Sequence, residues 1–152
     1  MLIRPYEAPD WDAICRVHDA ARAYELRSTV GMDAFLTLAQ TAEEEGLFDA
    51  ALDVLVIDEA IVGFAAYGED ELTWLYVDPD RFGEGHGRRL LRHVVERTGP
   101  VLRTEVLEGN AAALGLYLSE GFTVVRRSEG KLAGNEGFAA VGLVLEHRDT
   151  RE

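Results

Sequence analysis

The run Asn110-Ala111-Ala112-Ala113-Leu114-Gly115-Leu116-Tyr117-Leu118-Ser119-Glu120-Gly121-Phe122 decides the fold. Asn110 suits a helix N-cap, because its side-chain oxygen accepts an N–H that the first turn leaves free. Ala113 offers a surface for close approach, and Tyr117 falls one turn further along the same face. Gly121 stops the helix and Phe122 turns back into a core. Taken alone, Tyr117 is a helix tyrosine that packs its ring and wets its hydroxyl. The residues upstream change that reading.

Upstream lies Arg81-Phe82-Gly83-Glu84-Gly85-His86-Gly87-Arg88-Arg89, between an expected strand and an expected helix. Glycines let backbone N–H groups approach a ligand, and a helix N-terminus adds partial positive charge, so phosphate is the usual guest. A tight turn is the plainer reading. Arg81, Arg88, Arg89 and Arg92 crowd twelve positions of an otherwise acidic chain, which suits an anionic ligand or a solvated helix face. Two specific phosphate motifs fail. No Lys-Ser/Thr pair follows Gly87, and the third glycine of a dinucleotide fingerprint falls on Arg88 or Leu90. Only Glu105, about twenty residues downstream, supports a nucleotide-binding α/β protein.

Working outward, 2–6 reads as a strand, followed by a helix from Pro9-Asp10 to about Ala23 and a second helix over 32–45 stopped by Gly46. Residues 51–57 and 61–67 form a hairpin around Asp58-Glu59. A strand over 71–77 leads to the glycine loop and a helix whose apolar stripe is Leu90, Leu91, Val94 and Val95. A strand over 101–106 precedes the Asn110 helix, and 123–127 and 138–145 are two last strands separated by a glycine-containing loop. No repeat or linker interrupts the chain, which reads as one domain over 1–152 of mixed α+β class.

Composition limits the function. The net charge of −13 opposes nucleic-acid binding and docking on an anionic membrane, and suits a cationic substrate. Cys15, the single cysteine, leaves no internal disulfide or multi-cysteine zinc site. No apolar run is long enough to span a bilayer and no leader pattern opens the chain, so a soluble cytoplasmic protein is expected. His18, His93 and His147 read as surface residues. No histidine pair has metal-ligand spacing, so no metal is expected.

With these motifs in place, the chain resembles the Gcn5-related N-acetyltransferases over nearly its whole length. Val62-Gly63-Phe64 and Leu75-Tyr76-Val77-Asp78-Pro79 resemble the family's third and fourth strands. Gly83-x-Gly85-x-Gly87-Arg88-x-Leu90-Leu91 resembles its motif A, and Asn110 to Phe122 its motif B. The resemblance implies a mostly antiparallel seven-stranded sheet with about four helices, splayed between strands four and five. It implies acetyl-CoA as co-substrate and a primary amine, small molecule or peptide, as acceptor, in a bacterial monomer or homodimer.

The resemblance also implies roles. Leu75, Tyr76 and Val77 would meet the pantetheine arm, with Asn110 and Ala113 nearby. Gly83, Gly85, His86, Gly87 and Arg88 would cradle the diphosphate. Phe82 stands where the family carries Gln or Arg, so Arg81 is the nearest substitute donor, while Glu84 opposes phosphate. Tyr117 would be the general acid at the sulfur. Glu105 is the preferred general base, with Glu71 as the alternative. A module that binds acyl-CoA without catalysis is the competing reading.

Overall fold

The hairpin strands expected over 51–57 and 61–67 form as Ala51–Ile57 and Ala60–Tyr67 in the computed structural model. It describes residues 1–149. Among these are seven strands and four α-helices: β1 Leu2–Pro5, α1 Trp11–Arg27, α2 Leu38–Thr41, β2 Ala51–Ile57, β3 Ala60–Tyr67, β4 Leu72–Val77, α3 His86–Arg97, β5 Val101–Leu107, α4 Ala111–Ser119, β6 Thr123–Leu132 and β7 Asn135–Arg148. Val54 and Phe64 pack in one core cluster with Ile14 and Val17 of α1. Leu55, Val62 and Ala65 pack in another with Leu90, Leu91 and Val94 of α3. Helices therefore cover both faces of β2 and β3. Gly63 allows α3 to sit close: a Cβ there would stand 2.9 Å from the Tyr76 carbonyl oxygen and 3.0 Å from Leu90.

The turn between β2 and β3 places Asp58 and Glu59 at φ 50° and 66°, the paired left-handed geometry that a two-residue hairpin needs. The strands form an antiparallel sheet in the order β1-β2-β3-β4 and a second antiparallel sheet in the order β5-β7-β6. The expected splay is the seam between these sheets. It is stitched at one end only. Glu71 bridges Arg103, the Arg103 N–H donates to the Asp70 carbonyl at 2.8 Å, and Thr104 Oγ1 donates to the Leu72 carbonyl at 3.0 Å. Toward Val77 the strands part.

Three sequence expectations need correction. Helix α1 runs to Arg27, a turn beyond Ala23. The helix expected over 32–45 is broken into a 3₁₀ turn, Met32–Ala34, and the four-residue α2. Phe35 is extended, and Thr37 opens a new start: its hydroxyl accepts from the Gln40 N–H at 3.2 Å while Gln40 Oε1 accepts from the Thr37 N–H at 2.8 Å. The last two strands reach much further than 123–127 and 138–145, meeting at a two-residue turn with Gly134 at φ 81°. Tertiary anchoring overrides the polar sequence there. Leu132 is buried beside Leu26 and Ala34, and Asn135 Nδ2 donates to the Ala34 carbonyl at 3.0 Å.

Candidate active site

The open end of the seam forms a cleft of about 700 Å³, which we call the loop cleft. Leu75, Tyr76 and Val77 of β4 line one wall, and Asn110, Ala113 and Tyr117 line the other. Among the described residues, β4 beyond its ladder with β3 is hydrogen-bonded to β5 only at the stitched end. Gly83 and Gly85 adopt φ 82° and 84°, and a Cβ on Gly83 would meet nothing within 4 Å. Both line the cleft with His86, Gly87 and Arg88, where the first turn of α3 leaves backbone N–H groups without intrahelical acceptors. Gly87 lets α3 and α4 approach: a Cβ would stand 3.3 Å from Leu116. Backbone donors, a helix N-terminus and two arginines fit a diphosphate.

Side chains around the loop settle its charge. Glu84 is not among the cleft walls. Arg81 Nε reaches both of its oxygens at 3.1 Å, and His86 Nε2 lies 3.1 Å from Oε1. Arg81, then His86, holds the Glu84 carboxyl below its ordinary range. The His86 ring is buried and also meets Arg89 at 2.9 Å, so it fastens the loop. Arg88 donates to Ser119 at 2.9 Å, and Arg88 and Arg92 pair with Glu120. Phe82 stays half exposed, with its ring edge-on to Tyr24 at 5.2 Å.

Asn110 caps α4 through Oδ1, which accepts from the Ala113 N–H at 3.2 Å. Tyr117 is 6% exposed and packs edge-on against Phe122 at 5.1 Å. Burial pushes its phenol above the ordinary range near 10; a hydrogen bond with Thr104 works against this and the Glu25 charge adds to it. The hydroxyl therefore stays protonated through the neutral range.

A second cleft of about 530 Å³, the hairpin cleft, lies against the tip of the β6–β7 hairpin and shares Glu25, Thr73, Tyr76 and Glu105 with the first. Glu45 and Glu71 add carboxylates, and Trp74 forms part of the wall. Glu105 thus reaches both clefts and Glu71 only this one. Gly142 makes room for Glu105, since a Cβ there would collide with Glu105 Oε1. Among the described residues no group of three or more His, Cys, Asp or Glu is placed to hold a metal ion.

Glu25 was not anticipated. It accepts from Arg22 at 2.6 Å and from Asn110 Nδ2 at 3.1 Å, and stands 3.4 Å from the Tyr76 hydroxyl. It lies one turn after Ala21 on the buried stripe of α1, so a longer helix in the sequence reading would have exposed it as a carboxylate on an apolar face. Two histidines expected at the surface also lie inside. His18 is buried edge-on to Tyr76 at 4.9 Å, and burial lowers its imidazole despite Asp19 at 2.9 Å. His93 is half-buried and meets Asp53 at 2.7 Å, which also accepts from the Tyr67 hydroxyl at 2.6 Å.

Comparison with known proteins places this geometry. Residues 50–124 match the family described as Acetyltransferase (GNAT) domain. The chain is 38% identical over 109 residues to the peptidyl-lysine N-acetyltransferase YjaB of Salmonella typhimurium, covering 68% of this chain and 74% of the relative. The solution structure of apo YjaB from Escherichia coli superposes with a TM-score of 0.67 at 29% identity, over 96% of each chain. A structure of yncA from Salmonella typhimurium, solved with its cofactor acetyl-CoA, shares the fold at a TM-score of 0.73 and 21% identity, over 100% of this chain and 95% of that one.

Proposed function

The chain belongs to the Gcn5-related N-acetyltransferases and is an acyltransferase, and from that premise we propose that it moves an acetyl group from acetyl-CoA to a cationic amine by direct attack. The acceptor is a lysine side chain of a peptide or a small alkylamine, and 1–152 works as one domain. One observation carries this reading: a glycine-loop cleft holding a buried, protonated Tyr117 meets a glutamate-lined cleft at Glu105.

Acetyl-CoA, when bound, supplies an activated thioester carbon and a sulfur leaving group. The N–H groups at Gly83 to Arg88 hold the diphosphate. With Glu84 tied to Arg81 and His86, its repulsion of phosphate is muted. Peptide groups of Leu75 to Val77 that face the open seam pair with the pantetheine amides, and one N–H polarises the thioester carbonyl. Tyr117 donates a hydrogen bond to the departing sulfur. Phenol and thiol have reference pKa values of about 10 and 8.5, so full transfer is uphill by about 2 kcal/mol, and burial raises that. Tyr117 therefore acts as a donor to developing charge, and water completes the transfer.

An alkylammonium is almost wholly protonated at neutral pH and must lose a proton before it attacks. Glu105 takes that proton, because it alone of the two candidate bases borders both clefts. Four glutamates against Arg22 and Lys131 make the hairpin cleft attractive to cations. The test is thiol release from acetyl-CoA with a panel of lysine peptides, polyamines and uncharged amines. Release that depends on the amine and favours cationic acceptors is expected. Binding of CoA without release on any amine would instead support the non-catalytic module.

A further inference from the structure

At the open end of the seam no backbone ladder fixes how far Tyr76, on one wall of the loop cleft, stands from Asn110 on the other. One side chain reaches both walls. Glu25 Oε2 accepts from Asn110 Nδ2 at 3.1 Å, and its Oε1 accepts from Arg22 at 2.6 Å and stands 3.4 Å from the Tyr76 hydroxyl. The side chains of Arg22 and Glu25 are only 16% and 17% exposed, so salt screens these contacts little. Each partner is itself held. Asn110 commits Oδ1 to the Ala113 N–H of the helix cap, which leaves Nδ2 for Glu25. The Tyr76 ring packs against His18 at 4.9 Å and Phe64 at 5.9 Å. Helix α1 is docked on the turn that starts α4: Gly109 takes φ 103°, and a Cβ there would stand 2.7 Å from the carbonyl oxygen of Ser28, the C-cap of α1.

Resting on the acetyltransferase reading above, we propose that Glu25 is a positioning residue that ties β4 to the start of α4 across the open seam. It thereby sets the gap between the β4 peptide groups that hold the donor and the Tyr117 hydroxyl. Both carboxylate oxygens are engaged by donors, which suits a tie rather than a free base. Misplacing a reacting group by about 1 Å costs up to about a hundredfold in rate, so a small change of gap is felt. The pairing is also directional. Glu25→Gln can accept from Arg22 or from Asn110, but turns an N–H toward the other. Asn110→Asp keeps an oxygen for the Ala113 N–H but sets a second carboxylate against Glu25. The two changes together reverse the pair: the new amide accepts from Arg22 and donates to the new carboxylate, which still caps α4.

The experiment compares the full wild-type chain with Glu25→Gln, Asn110→Asp and the double variant, each checked as folded by its melting temperature. CoA affinity is read by calorimetry, and kcat and KM by thiol release with a lysine peptide. Each single change should weaken CoA binding about fivefold and lower kcat about tenfold, with acceptor KM within about twofold of wild type. The double variant should return CoA affinity and kcat to within about threefold of wild type. Glu25→Gln is isosteric, so it and the double variant carry the test if Asn110→Asp alone does not fold. Single changes that match wild type, or a double variant no better than its weaker single, overturn the proposal. So does a loss confined to acceptor KM, which would make Glu25 a ligand of the incoming ammonium. The two claims fail separately. CoA binding that follows the exchange, with no thiol release by wild type on any amine, upholds the tie and overturns the acetyltransferase reading, and no CoA binding by wild type overturns both.

Discussion

The loop cleft and the hairpin cleft meet at Glu25, Thr73, Tyr76 and Glu105, yet they are built by opposite means. The first is mostly backbone: glycines at positive φ, the N-terminus of α3, the open edge of β4 and the capped start of α4. The second is mostly side chains brought from α1, the segment around α2, β5 and the anchored hairpin. Backbone suits the diphosphate and amides of the proposed donor, and demands fixed residue types at fixed spacing. Side chains select an acceptor and can be drawn from anywhere in the chain.

The largest expected effect breaks catalysis while leaving donor binding intact. Tyr117→Phe keeps the ring against Phe122 and deletes the hydroxyl, so kcat should fall about a hundredfold with CoA affinity nearly unchanged. Steady-state kinetics and calorimetry on one preparation check both halves.

Next comes Gly142→Ala, whose Cβ would displace the Glu105 carboxylate. Misplacing a reacting group costs about tenfold to a hundredfold, and the loss should appear in kcat/KM for the acceptor. Glu105→Gln should lower kcat/KM for the acceptor at least as far. Adding Gly142→Ala to it should cost little more, because both changes act through one carboxylate. Full additivity in a double-mutant cycle would separate Gly142 from the base.

A smaller effect belongs to the loop. Arg81→Ala releases Glu84 toward the diphosphate, and CoA affinity should weaken about twofold to fivefold, as for an exposed ion pair. Glu84→Gln in the same chain should restore most of it. If it does not, Arg81 contacts the ligand directly.

Smallest is a control outside both clefts. Arg4 grips Asp10 at 2.7 and 3.0 Å and holds its carboxyl below the ordinary range. A depressed folded pKa contributes stability above the unfolded value of about 3.9, lost as pH falls through the folded one. Asp10→Asn should cost about 1 kcal/mol near neutrality, as for a part-exposed ion pair, and the difference from wild type should vanish in acid. Activity per folded molecule should not change.

The same contrast explains what the sequence revealed. Asn110 to Phe122 and Gly83 to Gly87 were legible because each residue answers a local backbone need: a cap, a positive φ, a close approach. Glu25 was hidden because its partners, Tyr76 and Asn110, lie 51 and 85 residues away. The hairpin tip was hidden because residues 128–137 are polar and glycine-rich, and only their contact with Leu26 and Ala34 makes them strand. His18 and His93 were misread as exposed because a helix face is buried by whatever crosses it. The helix expected over 32–45 fell to Thr37 and Gln40, a start signal inside an apolar pattern.

Amide hydrogen exchange with and without CoA reads directly whether the donor is held by backbone at the open seam. A ligand specific for the native state adds about 2.7 kcal/mol at a hundredfold excess over its dissociation constant, so slowed exchange is measurable. Added protection is expected at Gly83 to Arg88 and Leu75 to Val77, with little change at the tip of the β6–β7 hairpin. Protection confined to the hairpin cleft, or none anywhere at millimolar CoA, would contradict it.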